Sequence, residues 1–317
     1  MKKKIEFLNL KKLNLSHELI FKNQCTIYHG DVEDLFNKSI SPEPFDLIVT
    51  SPPYNIGKEY EQRKDLQLYL EDQEKIIKHL VANLKSTGSI CWQVGNFVSK
   101  EQIVPLDILF HPIFEKLGMK LRNRIVWHYG HGMHAKNRFS GRYEVIMWYT
   151  KTNSYTWNLD DVRVSQKYPK KLSYRGEKKG KLSGHPLGKN PEDVWAIPNV
   201  VGNHVEKTNH PCQFPVALVD RLVKAMTNEG DLVFDPFMGS GSAGVAALIN
   251  NRRFLVAEIH KPYITEAKKR LQLALKDKAP IRKDKEIYDH KKSYLSEMPK
   301  EFKIAQKKYR SSKIIKK

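Results

Sequence analysis

Four consecutive residues, Ser51-Pro52-Pro53-Tyr54, carry the most specific chemical signal in the chain. They follow the apolar run FDLIVT at residues 45–50, which reads as a buried strand that two prolines stop abruptly. A hydroxyl, prolyl carbonyls and an aromatic ring at a strand end suit one task. An exocyclic amino group on a heteroaromatic ring is a weak nucleophile because its lone pair is delocalised into the ring. Two acceptors, one per N–H, hold the nitrogen toward tetrahedral geometry and localise that pair. Ser51 Oγ and the Pro52 carbonyl can supply them. Tyr54 can stack on the ring, worth roughly 1–3 kcal/mol, against an extrusion cost of a few kcal/mol if the ring is a base in a duplex. The plainer alternative is a rigid proline turn after a core strand.

A second constellation begins at Asp235-Pro236-Phe237-Met238 and continues as Gly239-Ser240-Gly241-Ser242-Ala243-Gly244, a G-x-G-x-x-G spacing. It lies between a short strand at 232–234 and a small-residue helix at 243–248. Glycines there allow a tight turn and close approach of a ligand to the backbone. Glu258 closes the next strand, where an acid can bind a ribose; its alternative is a surface carboxylate paired with Lys261. Asp235 at the loop entrance disfavours a pyrophosphate and suits a cationic ligand. S-adenosylmethionine, with a sulfonium and an ammonium, fits that preference. Asp31, after an apolar run at 25–29, can contact adenine or ribose, or serve as a turn residue.

The elements that must position these residues alternate in type. Strands are expected at 25–29, 45–50, 88–94, 124–128, 143–150, 232–234 and 253–259. Helices are expected at 66–85, 103–117, 215–227, 243–248 and from 260 to about 275. Alternation of this kind implies a parallel α/β sheet, with ligands outside the carboxyl ends of its strands. Residues 152–209 are rich in Lys, Gly, Asn and Pro with interleaved aromatics, and read as an irregular insert. Residues 276–317 read as a basic tail or a loosely packed helix. The chain has 317 residues and a formal charge of +20. Such a field attracts polyanions, nucleic acid first. The three cysteines are scattered, without a C-x-x-C, so neither a disulfide framework nor a zinc knuckle is expected, and a reducing cytoplasm fits. No apolar run reaches membrane-span length, and the basic N-terminus lacks the apolar core of a signal peptide.

TSPPY followed nearly two hundred residues later by DPFMGSG resembles the β-class DNA amino-methyltransferases of restriction–modification systems, with the catalytic motif first and the cofactor motif last. The resemblance covers roughly residues 25–275. It implies the S-adenosylmethionine-dependent methyltransferase (Rossmann-like) α/β fold: a mostly parallel seven-stranded sheet with helices on both faces and a target-recognition insert. It divides the chain into a catalytic half of the core at 25–151, target recognition at 152–209, a cofactor-binding half at 210–275 and a basic tail at 276–317. Ser51, Pro52, Pro53 and Tyr54 take the catalytic role. Asp31, Thr50, His210, Pro211, Asp235, Pro236, Phe237, Gly239, Ser240, Gly241 and Glu258 take the cofactor. Pro215 leads the helix before the loop, and 137–144 matches the family's motif beside the target base. Arg138, Arg142, Lys167, Lys170, Lys171, Arg175, Lys178 and Lys179 are the candidates for DNA contact. No metal is implied.

Ser at the first motif position resembles N4-cytosine enzymes, whereas Asn55-Ile56-Gly57 resembles some N6-adenine enzymes; cytosine is placed first and adenine second. Double-stranded DNA is the implied substrate and a cognate restriction endonuclease the implied partner, in a bacterial or archaeal cytoplasm, with the protein a monomer or homodimer. Pro211-Cys212 looks like the nucleophile site of carbon-5 methyltransferases. It stands before a helix and ahead of the cofactor loop, the reverse of that family's order, so Cys212 is expected to be a small buried residue. An RNA or protein amide methyltransferase would carry Asn at position 51. A non-catalytic DNA-binding protein on the same core would not need Ser51, Tyr54, Gly239 and Gly241 intact.

Overall fold

The computed structural model describes residues 17–20, 25–37, 43–57, 63–99, 101–132, 134–282 and 297–315. In chain order the strands are β1 (His17–Ile20), β2 (Cys25–His29), β3 (Phe45–Thr50), β4 (Leu84–Val94), β5 (Asn96–Ser99), β6 (Gln102–Pro105), β7 (Lys120–His128), β8 (Tyr143–Thr150), β9 (Val194–Ala196), β10 (Leu232–Asp235) and β11 (Arg253–Glu258). The helices are α1 (Val32–Asn37), α2 (Leu66–Ala82), α3 (Leu106–Lys116), α4 (Leu159–Val162), α5 (Val216–Met226), α6 (Ser242–Ile249), α7 (Lys261–Leu275) and α8 (Lys300–Ile315).

The described residues fall into two compact units, Met1–Trp157 with Asp193–Lys283, and Asn158–Glu192 with Asp284–Lys317. In the first, nine strands form one sheet in the order β1-β2-β11-β10-β3-β4-β8-β7-β9. The run from β2 to β4 is parallel throughout. The seven strands from β2 to β7 are those expected from the sequence, and β1 and β9 add a short strand at either edge. Helices α1, α2 and α3 pack as one layer and α5, α6 and α7 as the other, so both faces are covered. That cover explains why β3 and β10 read as unbroken apolar runs: every residue in each is buried.

The strand order reverses at β10. The next strand in the chain, β11, lies on one side of it and β3 on the other, with Phe234 level with Ile48 and Asp235 level with Val256. The carboxyl ends of β3, β10, β11 and β2 therefore share one edge, and β10 carries the glycine loop straight into α6. Gly244 makes that packing possible, because a Cβ there would lie 2.2 Å from the Phe254 ring. On the other side, Trp92 meets Phe110 and Phe114 edge-on, and Phe114 stacks on Tyr149.

Several boundaries differ from expectation: the helix expected at 66–85 ends at Ala82, and the strands expected at 88–94 and 124–128 begin at Leu84 and Lys120. The helix expected at 103–117 begins at Leu106, because Gln102–Pro105 pairs with Asn96–Ser99 as a hairpin and Pro105, with its fixed φ, is the N-cap. The compact units also divide the chain at other places than the 152–209 insert expected from the sequence. Residues 193–209 belong to the first unit: β9 pairs with β7, and Trp127 Nε1 donates to the Ile197 carbonyl at 2.7 Å. The second unit joins 158–192 to the C-terminal α8, and part of the expected tail, 283–296 and 316–317, lies outside the described residues, as does 1–16 of the basic N-terminus. Within this unit the Lys170 ammonium pairs with Glu297, and Gln306 Nε2 donates to the Pro186 carbonyl at 2.9 Å.

Candidate active site

The Ser51–Tyr54 tetrapeptide leaves β3 and is held at its carboxyl end. Tyr69, on the buried face of α2, donates its hydroxyl to the Pro53 carbonyl at 2.6 Å. Asn55, at a left-handed φ of 59°, accepts from Lys64 N at 2.7 Å and donates to the Lys64 carbonyl at 2.9 Å. Asn tolerates that backbone better than most residues. Beside these anchors, Ser51 Oγ donates to Tyr54 Oη at 2.9 Å, and Tyr54 Oη donates to Glu144 Oε2 at 3.1 Å. Gln93 Nε2, at the end of β4, donates to Tyr54 Oη at 3.0 Å and also to Glu144. Tyr54 thus accepts twice and donates once. Because the Ser51 proton is turned toward Tyr54, the hydroxyl's lone pairs remain available to accept from a substrate N–H.

Burial pushes the Glu144 carboxyl up to about 7, with its hydrogen bonds to Tyr54 and Gln93 pulling the other way. The Tyr54 phenol is pushed well above its ordinary 10 by burial and by Glu144, so it stays a neutral donor. Neither Gln93 nor Glu144 stood out individually in the sequence. Glu144 ends the segment 137–144, and Gln93 is one polar residue inside an apolar strand.

The glycine loop forms the facing wall. Gly239 and Gly241 take left-handed φ of 51° and 78°. A Cβ at Gly239 would stand 2.8 Å from His210 Nε2, and one at Gly241 2.9 Å from Ala267 Cβ. Only glycine fits such a cradle. Arg270 buttresses the loop from α7, donating to the Ser240 carbonyl at 2.7 Å and to Ser242 Oγ at 3.1 Å. Glu258 is buried, and its carboxylate accepts from Gly239 N and His260 N, both at 2.8 Å, so the alternative pairing with Lys261 at the surface is replaced by a loop-fixing role. Burial raises its carboxyl from the ordinary value, against those backbone donors. Burial also drives the His210 imidazole down to about 4, leaving it neutral at pH 7.

One cavity of about 350 Å³ brings the two motifs together. Its lining includes Ser51, Pro52, Pro53 and Tyr54 with Asp31, His210, Pro236, Phe237, Gly239, Ser240 and Glu258. Tyr263, Phe214, Gln73 and Ile76, which the motifs did not single out, line it as well. Thr50, Pro211, Asp235 and Gly241 do not. Thr50 and Asp235 are fully buried beneath the loop, Thr50 Oγ1 donating to Asp235 Oδ1 at 2.6 Å and Phe237 N to the same oxygen at 3.1 Å. Asp235 thus braces the loop from below. Its Oδ2 has no hydrogen-bond partner, and burial, with nearby Glu258, raises the carboxyl to about 7. A buried acid in that state is stabilised by a cation above it. The donor set thus fits a ligand with positive charge. Cys212 corrects an expectation: it is exposed and lines the cavity, because Pro211 and Cys212 sit on the loop before α5 rather than under it. Cys25 and Cys91 are the buried thiols.

A family model described as DNA methylase matches residues 45–269, well over half of the chain. The chain belongs to the DNA methylase family. Its likeness to relatives is extensive. It is 50% identical over 239 residues to "Type II methyltransferase M.BglII" of Bacillus subtilis, covering 75% of this chain and 66% of that relative. It is 33% identical over 289 residues to "DNA adenine methyltransferase YhdJ" of Escherichia coli (strain K12), covering 88% of this chain and 95% of that protein. The solved "PvuII DNA methyltransferase (cytosine-N4-specific)" shares the fold at a TM-score of 0.64 and 18% identity, over 85% of this chain and 98% of that one. This methylase takes S-adenosylmethionine as its cofactor, in keeping with the cationic preference of the loop. Among its described residues no group of three or more His, Cys, Asp or Glu could hold a metal ion, and no helix is long and apolar enough to cross a membrane.

The expected DNA contacts fall in both units. Arg138 and Arg142 belong to the first, and Arg142 Nη1 donates to the Gly141 carbonyl at 2.7 Å. In the second, Lys171, Arg175, Lys178 and Lys179 are exposed, Lys167 lies over the Tyr168 ring, and Lys170 is engaged with Glu297.

Proposed function

We propose that this DNA methylase transfers a methyl group to N4 of cytosine in duplex DNA, as the modification component of a restriction–modification system in a bacterial or archaeal cytoplasm. The observation that carries the amino-group chemistry is the polarity of the Ser51–Tyr54–Glu144 chain, and Ser at position 51 is what puts cytosine ahead of adenine. An ionised Glu144 can only accept, so Tyr54 donates to it and in turn accepts from Ser51. Ser51 is thereby left as an acceptor at the cavity edge. The Pro52 carbonyl, steadied by the Tyr69 bond to its neighbour Pro53, is the second acceptor. Two acceptors grip the amino group and localise its lone pair.

S-adenosylmethionine supplies an electrophilic methyl when bound. The chain's residues do the rest by placement. His210, Phe237, Gly239 and Ser240 would hold the cofactor, with Glu258 and Asp31 available to its ribose and adenine, and Asp235 would stabilise positive charge from beneath. Tyr54 offers its ring to an extruded base for stacking while its hydroxyl stays locked by Ser51, Gln93 and Glu144. Catalysis then comes from orientation and fixed dipoles, with no general base demanded before the nitrogen becomes cationic. Arg138, Arg142 and the lysines of 158–192 supply phosphate contacts, which make affinity strongly salt-dependent.

Adenine N6 is the second reading. It is favoured by Asn55-Ile56-Gly57 and by the extent of the likeness to a relative named an adenine methyltransferase. The deciding experiment digests DNA from cells expressing the protein to nucleosides and measures them by mass spectrometry. N4-methylcytosine supports the proposal; N6-methyladenine transfers it to the second reading; neither product overturns both.

A further inference from the structure

The apolar face of α2, formed by Tyr69, Ile76, Ile77 and Leu80, is interrupted by one polar side chain, Gln73. Gln73 is 6% exposed. Its Oε1 is buried without a hydrogen-bond partner. Among the described residues, it alone of those with such an orphaned side-chain atom also lines the cavity. A buried amide costs free energy unless it is paired, and an apolar residue would be cheaper at this place on the helix. Its presence therefore points to a ligand with a matching edge.

The sheet order indicates which ligand. The strand ends run β3, β10, β11, β2 along one edge. A methyl donor must present its reactive end beside Ser51 at β3, so its nucleoside end lies toward β11 and β2. Gly30 N donates to the Glu258 carbonyl at 3.0 Å, which places the start of α1 directly beside the acid at the end of β11. Helix α1 in turn packs against α2, with Phe36 stacked on His79. Gly30–Glu33, Gln73 and Ile76 line the same cavity. Ile76 offers an apolar surface to a flat ring, and Gln73 offers an amide with one donor and one acceptor side by side. That pair matches the amino nitrogen and adjacent ring nitrogen of adenine, the pattern by which Gln reads adenine in nucleic acids.

We propose that Gln73 recognises the adenine of the cofactor, accepting from its 6-amino group and donating to a neighbouring ring nitrogen. The inference rests on the cavity being the S-adenosylmethionine site. Turning the amide about its last bond exchanges donor and acceptor, so the assignment depends on the pair and not on which end faces the cavity.

The test is isothermal calorimetry with two ligands, S-adenosylhomocysteine and its analogue bearing hydrogen in place of the 6-amino group. Wild type is expected to prefer the amino-bearing ligand by about tenfold, the value of one well-made hydrogen bond. Gln73→Leu is expected to bind both equally, at the weaker level, and Gln73→Met to do the same. The readout is a ratio within each protein, so a general loss of stability in a variant does not imitate it. Equal affinities in wild type, or an unchanged preference in both variants, overturn the role of Gln73. Failure of wild type to bind S-adenosylhomocysteine at all, or normal binding by Gly241→Asp, instead overturns the placement of the cofactor in this cavity.

Discussion

Replacing Asp235 with Asn separates the buried charge beneath the cofactor loop from the hydrogen bonds around it. Burial raises this carboxyl from its ordinary 3.8 to about 7, aided by Glu258 and opposed by Thr50 and Phe237 N. Below about 3.8 the folded and unfolded states both hold the proton. Between 3.8 and about 7 the folded state keeps a proton that the unfolded chain has lost, so stability falls as pH rises through that window. Above it the full penalty of a buried anion stands. The gap corresponds to on the order of 4 kcal/mol. Asn retains an acceptor for Thr50 and Phe237 N but places an NH₂ where Oδ2 has no partner, at a cost of about 1–3 kcal/mol at every pH. The stability curves of variant and wild type should therefore cross. The cofactor-free variant should be the less stable at about pH 4.5 and the more stable, by roughly 1–3 kcal/mol, at about pH 8. Urea unfolding over that range, read by fluorescence, gives both curves. The variant should also bind S-adenosylmethionine more weakly at about pH 8, where only wild type carries the anion. Parallel curves would refute the reasoning, since they would mean that Asp235 does not titrate in the window its burial implies.

Ser51→Ala should bind S-adenosylmethionine as wild type does and lose most of its turnover; retained turnover in a radiolabelled methyl-transfer assay would remove Ser51 from the chemistry. In wild type, kcat at saturating cofactor should climb from about pH 6 to pH 8 as Glu144, raised to about 7, becomes an obligate acceptor. Glu144→Gln can accept from Tyr54 without titrating, so its profile should be flat there; an identical rising limb would place the titration on another group. Gly239→Ala must put a Cβ 2.8 Å from the His210 ring at a left-handed φ, a strain of about 1–2 kcal/mol. It should show up as weaker cofactor binding by calorimetry in a protein whose far-ultraviolet dichroism is unchanged, and full affinity would contradict the cradle.

The sequence was most legible where burial is two-sided. FDLIVT, LVFD and RFLVAE read as strands because a central parallel strand has no solvent face to alternate with. The punctuation after two of them, Ser-Pro-Pro and Gly-Ser-Gly, marks the ends where the site assembles. The short hairpin at 96–105 was hidden because Ile103 and Val104 continue smoothly into the apolar pattern of α3. The inner edge of the insert was hidden for another reason. Residues 193–209 are polar and irregular, yet Trp127 takes the Ile197 carbonyl and Glu206 caps α5 by accepting from Val216 N at 2.8 Å. Composition does not encode such pairings. The same holds for Gln93, Glu144 and Gln73. Gln93 and Glu144 act on Tyr54 across 39 and 90 residues of chain, and a polar letter within an apolar stretch announces no partner by itself.

The motif order along the chain, catalytic first and cofactor second, has no bearing on the chemistry, and the register shows why. What matters is that β3 and β10 are neighbours in a parallel sheet, so Thr50 and Asp235, separated by 185 residues, share a hydrogen bond of 2.6 Å. That bond ties the base of the Ser51 loop to the base of the glycine loop. Its strength depends on the Asp235 carboxyl, because an ionised acceptor draws the Thr50 hydroxyl closer than a neutral one. Positive charge settling on the glycine loop favours the ionised form, and so tightens the strand end from which Ser51 departs. Thr50→Val should then uncouple the two loops: cofactor affinity should fall and turnover at saturating cofactor should fall with it, although Val touches neither ligand. A variant that lost affinity alone, with kcat intact, would show that the loops act independently and that their adjacency in the sheet is only architectural.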